Sequence, residues 1–268
     1  MQDAVSIRDA IPHAVTRPTV SVIIPALNEE RNLPYVAERM PAGIDEIVVV
    51  NGDSKDDTAR VARRLWPDGV HVRQTRRGKG NALACGFEVA TGDIIVMIDA
   101  DGSTDPAEIP LFVETLVAGA DFAKGSRFTE GGGSADITRI RRLGNRFLNQ
   151  LVNVLFDMDY TDLCYGYNAF WRRCLDVISM PDVAADGPQW GDGFEVETLI
   201  NVRLAAHGAK IVEVASYESS RIHGVSNLNA VSDGLRVLAT IQREFSEHGR
   251  RGTARPADGI ECQAISSR

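Results

Sequence analysis

Asp93-Ile94-Ile95-Val96-Met97-Ile98-Asp99-Ala100-Asp101 is the stretch on which the fold turns. Its apolar run, bounded by Gly92 before and Gly102 after, reads as a buried parallel strand. Two carboxylates one residue apart emerge at its C-terminal end, where open α/β sheets bind ligands. Alternation along an extended chain points Asp99 and Asp101 the same way. Two hard oxygen ligands facing one spot suit Mg²⁺ or Mn²⁺, and with it a diphosphate. A polar turn closing the strand is the plain alternative for so short a motif.

Strand and helix patterns alternate on both sides of this run. Strands are expected at Val20–Pro25, Ile44–Val50, Val70–Gln74 and Ala120–Gly125, with helices at about Glu29–Arg39, Asp56–Trp66 and Gly80–Ala90 between them. Pro106 sits just inside a further helix capped by Asp105. Repeated β-α-β units at this spacing imply an α/β fold with a mostly parallel sheet and helices on both faces. Beyond Gly131-Gly132-Gly133 the pattern gives helices at Ile140–Phe156, about Phe194–His207 and about Ala230–Glu247, and a strand at Lys210–Ala215. The expected organisation is a loosely ordered leader over 1–18, one domain over 19–248 and a disordered tail over 249–268. Within the domain, a nucleotide half (about 19–130) flows into an acceptor half (about 131–248).

The 268 residues carry 37 acidic and 29 basic side chains, a net charge of −8, which argues against a nucleic-acid partner. Four scattered cysteines with no C-x-x-C pair favour reduced thiols and a cytoplasmic setting. No apolar stretch reaches the roughly 20 residues of a membrane span.

Seven further segments flank the Asp99-Ala100-Asp101-Gly102-Ser103 motif. In Val22-Ile23-Ile24-Pro25-Ala26-Leu27-Asn28-Glu29-Glu30, Pro25 cannot continue a central ladder, and Asn28 and Glu29 offer polar groups where a helix begins. In Val50-Asn51-Gly52-Asp53-Ser54-Lys55-Asp56-Asp57-Thr58, Asp56 reads as a structural helix cap. In Arg76-Arg77-Gly78-Lys79-Gly80-Asn81-Ala82, glycines let a backbone approach a diphosphate and Lys79 adds charge at a helix start. Lys124-Gly125-Ser126-Arg127 closes a strand. In Asp162-Leu163-Cys164-Tyr165-Gly166-Tyr167-Asn168 the tyrosines either shape a sugar pocket or fill the core. In Phe194-Glu195-Val196-Glu197 the two glutamates lie roughly 200° apart on a helix, so one of them is structural. The last segment is Ser220-Arg221-Ile222-His223-Gly224-Val225-Ser226-Asn227-Leu228.

Taken in order, these motifs resemble family 2 glycosyltransferases of the GT-A fold, from Val20 to about Arg243. Within the family they look most like the dolichyl- or polyprenyl-phosphate mannose and glucose synthases. The resemblance implies a metal-dependent inverting transfer of sugar from a GDP-mannose or UDP-glucose type donor to a polyprenyl-phosphate-like acceptor. It assigns Pro25, Ala26, Asn28, Glu29, Asp53, Lys79, Asp99, Ala100 and Asp101 to the donor nucleotide, and Asp99, Asp101 and Ser103 to Mg²⁺ or Mn²⁺. It places Arg127, Tyr167, Arg221, His223 and Ser226 on the acceptor and its phosphate, and gives catalysis to Asp101, Glu197 and Arg221. The chain departs from the family at three points. Asn51-Gly52 replaces two consecutive Asp, Ser103 stands where Gln is common, and Asn227 replaces a phosphate-gripping Lys, leaving Arg139, Arg142 or His223 to supply that contact.

A fork follows. A phosphate acceptor is anionic near pH 7 and needs no strong base, whereas a hydroxyl acceptor needs one, with Glu197 or its rival Asp192 in that role. For a lipid phosphate, the helix bearing Arg139, Arg141, Arg142 and Arg146 beside Ile140, Leu143, Phe147, Leu151 and Val154 is either a peripheral contact at the inner membrane face or core packing. A homo-oligomer is compatible with either. A sugar nucleotidyltransferase requires a Gly-rich loop that Pro25–Glu29 lacks. A non-catalytic nucleotide-sugar binding protein remains open because of Asn51-Gly52 and Asn227.

Overall fold

The computed structural model describes residues 17–224 and 230–252. The expected leader, apart from Arg17 and Pro18, lies outside the described residues, as do Ser226, Asn227 and 253–268.

Six expected strands and one further strand form a seven-stranded sheet. They are β1 (Val20–Ala26), β2 (Glu46–Asn51), β3 (Val70–Arg73), β4 (Ile94–Met97), β5 (Phe122–Ser126), β7 (Asn168–Trp171) and β8 (Ile211–Ala215). The order is β3-β2-β1-β4-β7-β5-β8. All pairings are parallel except those of β7, which runs antiparallel to both β4 and β5. β7 was not expected from the sequence. It is only four residues long and lies between two strands, so it shows no alternation that periodicity could detect. A two-stranded ribbon, β6 (Gly133–Ser134) with β9 (Tyr217–Glu218), stands apart from the main sheet.

Alternate strand residues feed two cores. Val22, Ile24, Ile94 and Val96 pack with α1 (Leu33–Glu38), α2 (Thr58–Leu65) and α4 (Ile109–Val117) on one face. Ile23, Val48, Ile95 and Met97 pack with α3 (Lys79–Val89), α6 (Leu175–Ile178) and α7 (Val196–Ala206) on the other. The helix expected from Glu29 begins only at Leu33, because a turn bonding the amides of Asn32 and Leu33 to the Glu29 carbonyl comes first. Asp105 caps as expected, accepting from the Ala107 amide ahead of α4, whereas the N-cap position of α2 falls to Asp57 and Asp56, one residue earlier, accepts from the Thr58 amide.

α5 (Arg139–Phe156) and α8 (Ala230–Gly252) pack on each other through Leu148, Val152, Phe156, Val237 and Ile241. α8 runs on through Gly249 to Gly252, so the expected disordered tail does not begin at 249. Core packing, one of the two readings of the α5 stripe, holds only for Leu151, partly buried against the α5–α8 core; Ile140, Leu143, Phe147 and Val154 are 57–82% exposed. The covered face is instead a ladder of asparagines with Leu148, Val152 and Phe156. Asn145, Asn149 and Asn153 each bond a backbone amide of segment 160–164, at Cys164, Leu163 and Tyr160 respectively. Asn149 and Asn153 also donate to the carbonyls of Thr161 and Tyr160. A buried irregular segment needs partners for its peptide groups, and the asparagines supply them. Among the described residues no helix is long and apolar enough to cross a membrane.

Candidate functional site

A cleft of about 520 Å³ opens at the C-terminal ends of β1 and β4 and extends between α5 and α8. β4 ends at Met97, so Asp99 and Asp101 sit in the following turn rather than on the strand. The alternation survives: Ile98 and Ala100 enter one core while both carboxylates line the cleft.

Asp99 belongs to a charged node. The Lys79 ammonium lies 2.6 Å from Asp99 Oδ1 and 2.8 Å from Glu197 Oε1. Lys79 opens α3 and Glu197 lies in the first turn of α7, so two helices on one face of the sheet aim at the end of β4. Burial would lower the Lys79 pKa, but the two carboxylates outweigh it and hold the ammonium above its ordinary range. Burial also pushes Glu197 up, against the pull of Lys79. Gly166 leaves the space that the node occupies: a Cβ there would fall 2.8 Å from Lys79 Nζ and 3.1 Å from Glu197 Oε1. Gly166→Ala is therefore expected to lower transfer at least about ten-fold while destabilising the fold by only about 1–3 kcal/mol. Turnover and urea unfolding measured on the same preparation check both halves.

Asp101 belongs to a second group. The Arg221 guanidinium lies 2.7 Å from Asp101 Oδ2 and 3.1 Å from Glu29 Oε1. Asp101 Oδ1 also accepts from the Ser103 amide at 2.9 Å. Burial raises the Glu29 carboxyl, and Asn32 and Arg221 pull it back. Across the two groups, four carboxylates meet two side-chain cations. That surplus of negative charge, with hard oxygens from Asp99, Asp101 and the Ser103 hydroxyl lining the same cleft, fits a divalent cation. No cluster of three or more His, Cys, Asp or Glu converges among the described residues. Such a cation would thus take the rest of its shell from water and phosphate, as Mg²⁺ commonly does.

Several expected residues are placed elsewhere. Pro25, Ala26 and Ala100 line the cleft as expected, joined by Gly52. Asn28, at φ +59°, accepts the Lys55 amide instead, and Asp53, at φ +67°, pairs with Arg73 at 2.7 Å on the surface. Neither is among the residues lining the cleft, although their neighbours Leu27, Glu29 and Gly52 are. Arg127 lines the cleft but spends its guanidinium on Asp162 (2.7 and 2.9 Å) and Glu218 (2.9 Å), so its charge is already matched. Tyr167 is a core tyrosine: it stacks on Phe112 at 4.3 Å and donates to the Asp105 carbonyl. His223 lies beside Tyr35, and its carbonyl accepts from Asn32.

The glycines of the Arg76–Ala82 segment serve the protein's own packing, and Gly78 also lines the cleft beside Arg77 and Lys79. A Cβ on Gly80 would meet the Gly191 carbonyl oxygen at 1.8 Å, and the amides of Gly80 and Asn81 already donate to the Asp192 carbonyl. Asp192 itself is clamped by Arg76 at 2.9 and 3.0 Å, which removes it as a rival base. Glu195 turns to the amides of Gly191 and Gly193, leaving Glu197 as the glutamate in the cleft.

The sequence reading missed the far arm of the cleft. Ile137, Ile140, Gly144, Leu148, Gly234 and Val237 line it, with Asp136, Arg141, Asn145 and Asp233 among them, so apolar side chains are interspersed with polar ones. These residues come from α5, α8 and the two residues before Thr138, the N-cap of α5, segments far apart in sequence that no local pattern joins.

The sequence pattern of Glycosyl transferase family 2 matches residues 21–178. Polyprenol monophosphomannose synthase of Mycolicibacterium smegmatis is 31% identical over 259 residues, covering 92% of this chain and 94% of that one. Undecaprenyl-phosphate mannosyltransferase of Micrococcus luteus is 32% identical over 228 residues, covering 82% and 91%. Glucosyl-3-phosphoglycerate synthase from Mycobacterium tuberculosis, solved with Mg²⁺ and uridine-diphosphate, shares the fold: its TM-score is 0.66 at 24% identity, over 85% of this chain and 80% of that one. The mixed, mostly parallel sheet is thus the GT-A architecture. With the family pattern spanning over half of its length and relatives aligned nearly end to end, this protein is a glycosyltransferase and belongs to family 2.

Proposed function

We propose that this protein transfers a hexose from a nucleotide-diphosphate sugar to a polyprenyl-phosphate-type acceptor, with Mg²⁺ or Mn²⁺ as cofactor. The observation that carries the reading is the two-ended cleft. Its floor gathers Lys79, Arg221 and four carboxylates, and its far arm is lined by Ile137, Ile140, Leu148 and Val237. An acceptor with an anionic head and an apolar tail matches both ends. The names of the Mycolicibacterium and Micrococcus relatives support the same acceptor class.

Asp99 and Asp101, with Ser103, would hold the divalent ion, which when bound neutralises charge developing on a departing diphosphate. Pro25, Ala26 and Gly52 form the wall against which the nucleoside lies. Arg221, between Glu29 and Asp101, is placed to share phosphate charge. Glu197 is read as the residue that fixes Lys79, 2.8 Å away, and not as a general base. A phosphate acceptor, already ionised, needs no base.

Radiolabelled GDP-, UDP- and dTDP-sugars offered with detergent-dispersed polyprenyl phosphate, with and without Mn²⁺, test the proposal. Label should pass to the lipid only with metal; label passing only to soluble hydroxyl acceptors would overturn the acceptor class. Asp101→Ala is expected to lower metal-dependent transfer about 10²–10³-fold. It should still fold, since Arg221 keeps Glu29 as a partner. Full activity in that variant would sink the metal assignment.

A further inference from the structure

We propose that Arg77, assisted by Gln74, reads the base of the donor nucleotide and selects guanine. The inference rests on the nucleotide-sugar donor proposed above and names its base.

Arg77, Lys79, Arg127, Arg141 and Arg221 are the basic side chains lining the cleft, and all but the first are spent. Lys79 is held by Asp99 and Glu197, and Arg221 by Glu29 and Asp101. Arg127 is held by Asp162 and Glu218, and Arg141 by Asp136. Arg77 is exposed and has no ion-pair or hydrogen-bond partner among the described residues. A guanidinium left unpaired where every other cation is matched is free to meet a ligand.

The fold says which part of the ligand it meets. The ends of β1, β2 and β3 are laced side by side: the Gly52 amide donates to the Ala26 carbonyl at 2.8 Å, and the Gln74 amide to the Asn51 carbonyl at 3.1 Å. Three adjacent strand ends make a floor about 10 Å wide. Gly52, just past β2, adds no side chain to its middle, so a planar heterocycle can lie flat there. Gln74 and Arg77 line the cleft beyond the β3 end of that floor, whereas Asp99 and Asp101 follow β4 at its other end. Arg77 thus stands on the base side of the site.

Guanidinium chemistry then selects the base. The group carries donors only, set in a planar fork, so its match is an edge with two adjacent acceptors. Guanine presents O6 and N7 side by side, adenine sets a donor beside N7, and thymine or uracil offers O4 with no second acceptor next to it. The side-chain amide of Gln74, without a hydrogen bond among the described residues, can accept from the N1–H beside O6.

Calorimetric titration of the full chain with GDP, UDP and inorganic pyrophosphate, each with Mn²⁺, tests this. Wild type should bind GDP at least about ten-fold tighter than UDP, in line with what one bidentate contact discriminates. Arg77→Met should weaken GDP at least about ten-fold, bring GDP and UDP close together, and leave pyrophosphate within about two-fold. In turnover its donor KM should rise with kcat little changed. It should fold as wild type does, since the side chain it replaces has no partner to lose. Arg77→Lys keeps the charge but not the fork, and should not restore the preference. Arg73→Met removes the same charge from an exposed pair with Asp53 and should change none of these affinities. A wild type without preference for GDP, or an Arg77→Met variant that keeps it, would overturn the proposal. So would loss of pyrophosphate in step with GDP, recovery of the preference by Arg77→Lys, or an equal loss in Arg73→Met. Those outcomes leave the transfer reaction standing; failure of every nucleotide to bind with Mn²⁺ would remove the donor reading itself.

Discussion

Lys79→Met is expected to lower sugar transfer by at least about 10²–10³-fold, because it removes the one cation shared by Asp99 and Glu197. The loss has two parts. The departing diphosphate loses an ammonium placed at the end of β4, and the two carboxylates are left facing each other. Buried like charges at such range cannot both stay ionised, so one takes a proton. Glu197, already raised by burial, would rise further. The fold should weaken by about 3–5 kcal/mol at neutral pH, the usual result of leaving a buried charge unpaired.

The sign of the pH dependence follows. A carboxyl raised in the folded state binds more protons there than in the unfolded chain, so stability falls as pH climbs from the unfolded pKa to the folded one. Between about pH 4.5 and the raised folded value, Lys79→Met should lose stability more steeply than wild type. Urea unfolding at several pH values, beside turnover at each, measures both effects. Parallel curves for variant and wild type would show that the node does not act as described.

Arg127→Leu should act in the opposite manner, with a large effect on stability and a small one on acceptor binding. Its guanidinium satisfies Asp162, which is fully buried, and Glu218 in one planar fork. Burial would lower its pKa, yet the two carboxylates hold it above its ordinary range. Removing it strands two buried acids, an expected cost of about 3–5 kcal/mol. For a chain of this size that lowers Tm by roughly 10 °C or more. Arg127→Lys should recover little, because a lysine cannot supply the bidentate geometry that Asp162 receives. Below the transition, the acceptor KM should stay within about two-fold of wild type, since the guanidinium is already spent on Asp162 and Glu218. A stable Arg127→Leu variant with a greatly raised acceptor KM would restore the phosphate-binding role that its position in the motif suggests.

Much of the site was legible in the sequence because it follows strand ends. Asp99, Asp101, Pro25 and Ala26 are fixed by where apolar runs stop, and a run of Ile and Val announces itself locally. Helical spacing forbids Glu195 and Glu197 from both facing one cleft, and the family resemblance, rather than the spacing, pointed to Glu197. Motif membership misled where the residue type suits two tasks. Arg127 and Tyr167 lie in the right segments, but each found its partner inside the protein, at Asp162 and Phe112. Gly78 and Gly80 looked like a phosphate loop and instead admit the backbone of 191–193.

The apolar runs alone settled the α/β class, the mostly parallel sheet and the carboxylates at the end of β4, because burying a strand on both faces demands an unbroken hydrophobic segment wherever it lies. Which face of α5 is covered was decided only in three dimensions. Its periodicity shows an apolar stripe, and a stripe does not say whether protein or something else lies against it. Segment 160–164 took the asparagine side to pair its peptide groups, and α8 closed over Leu148 and Val152. Ile140, Leu143, Phe147 and Val154 were thereby left on the outside, since a helix packed on one side by polar backbone must turn its other side away.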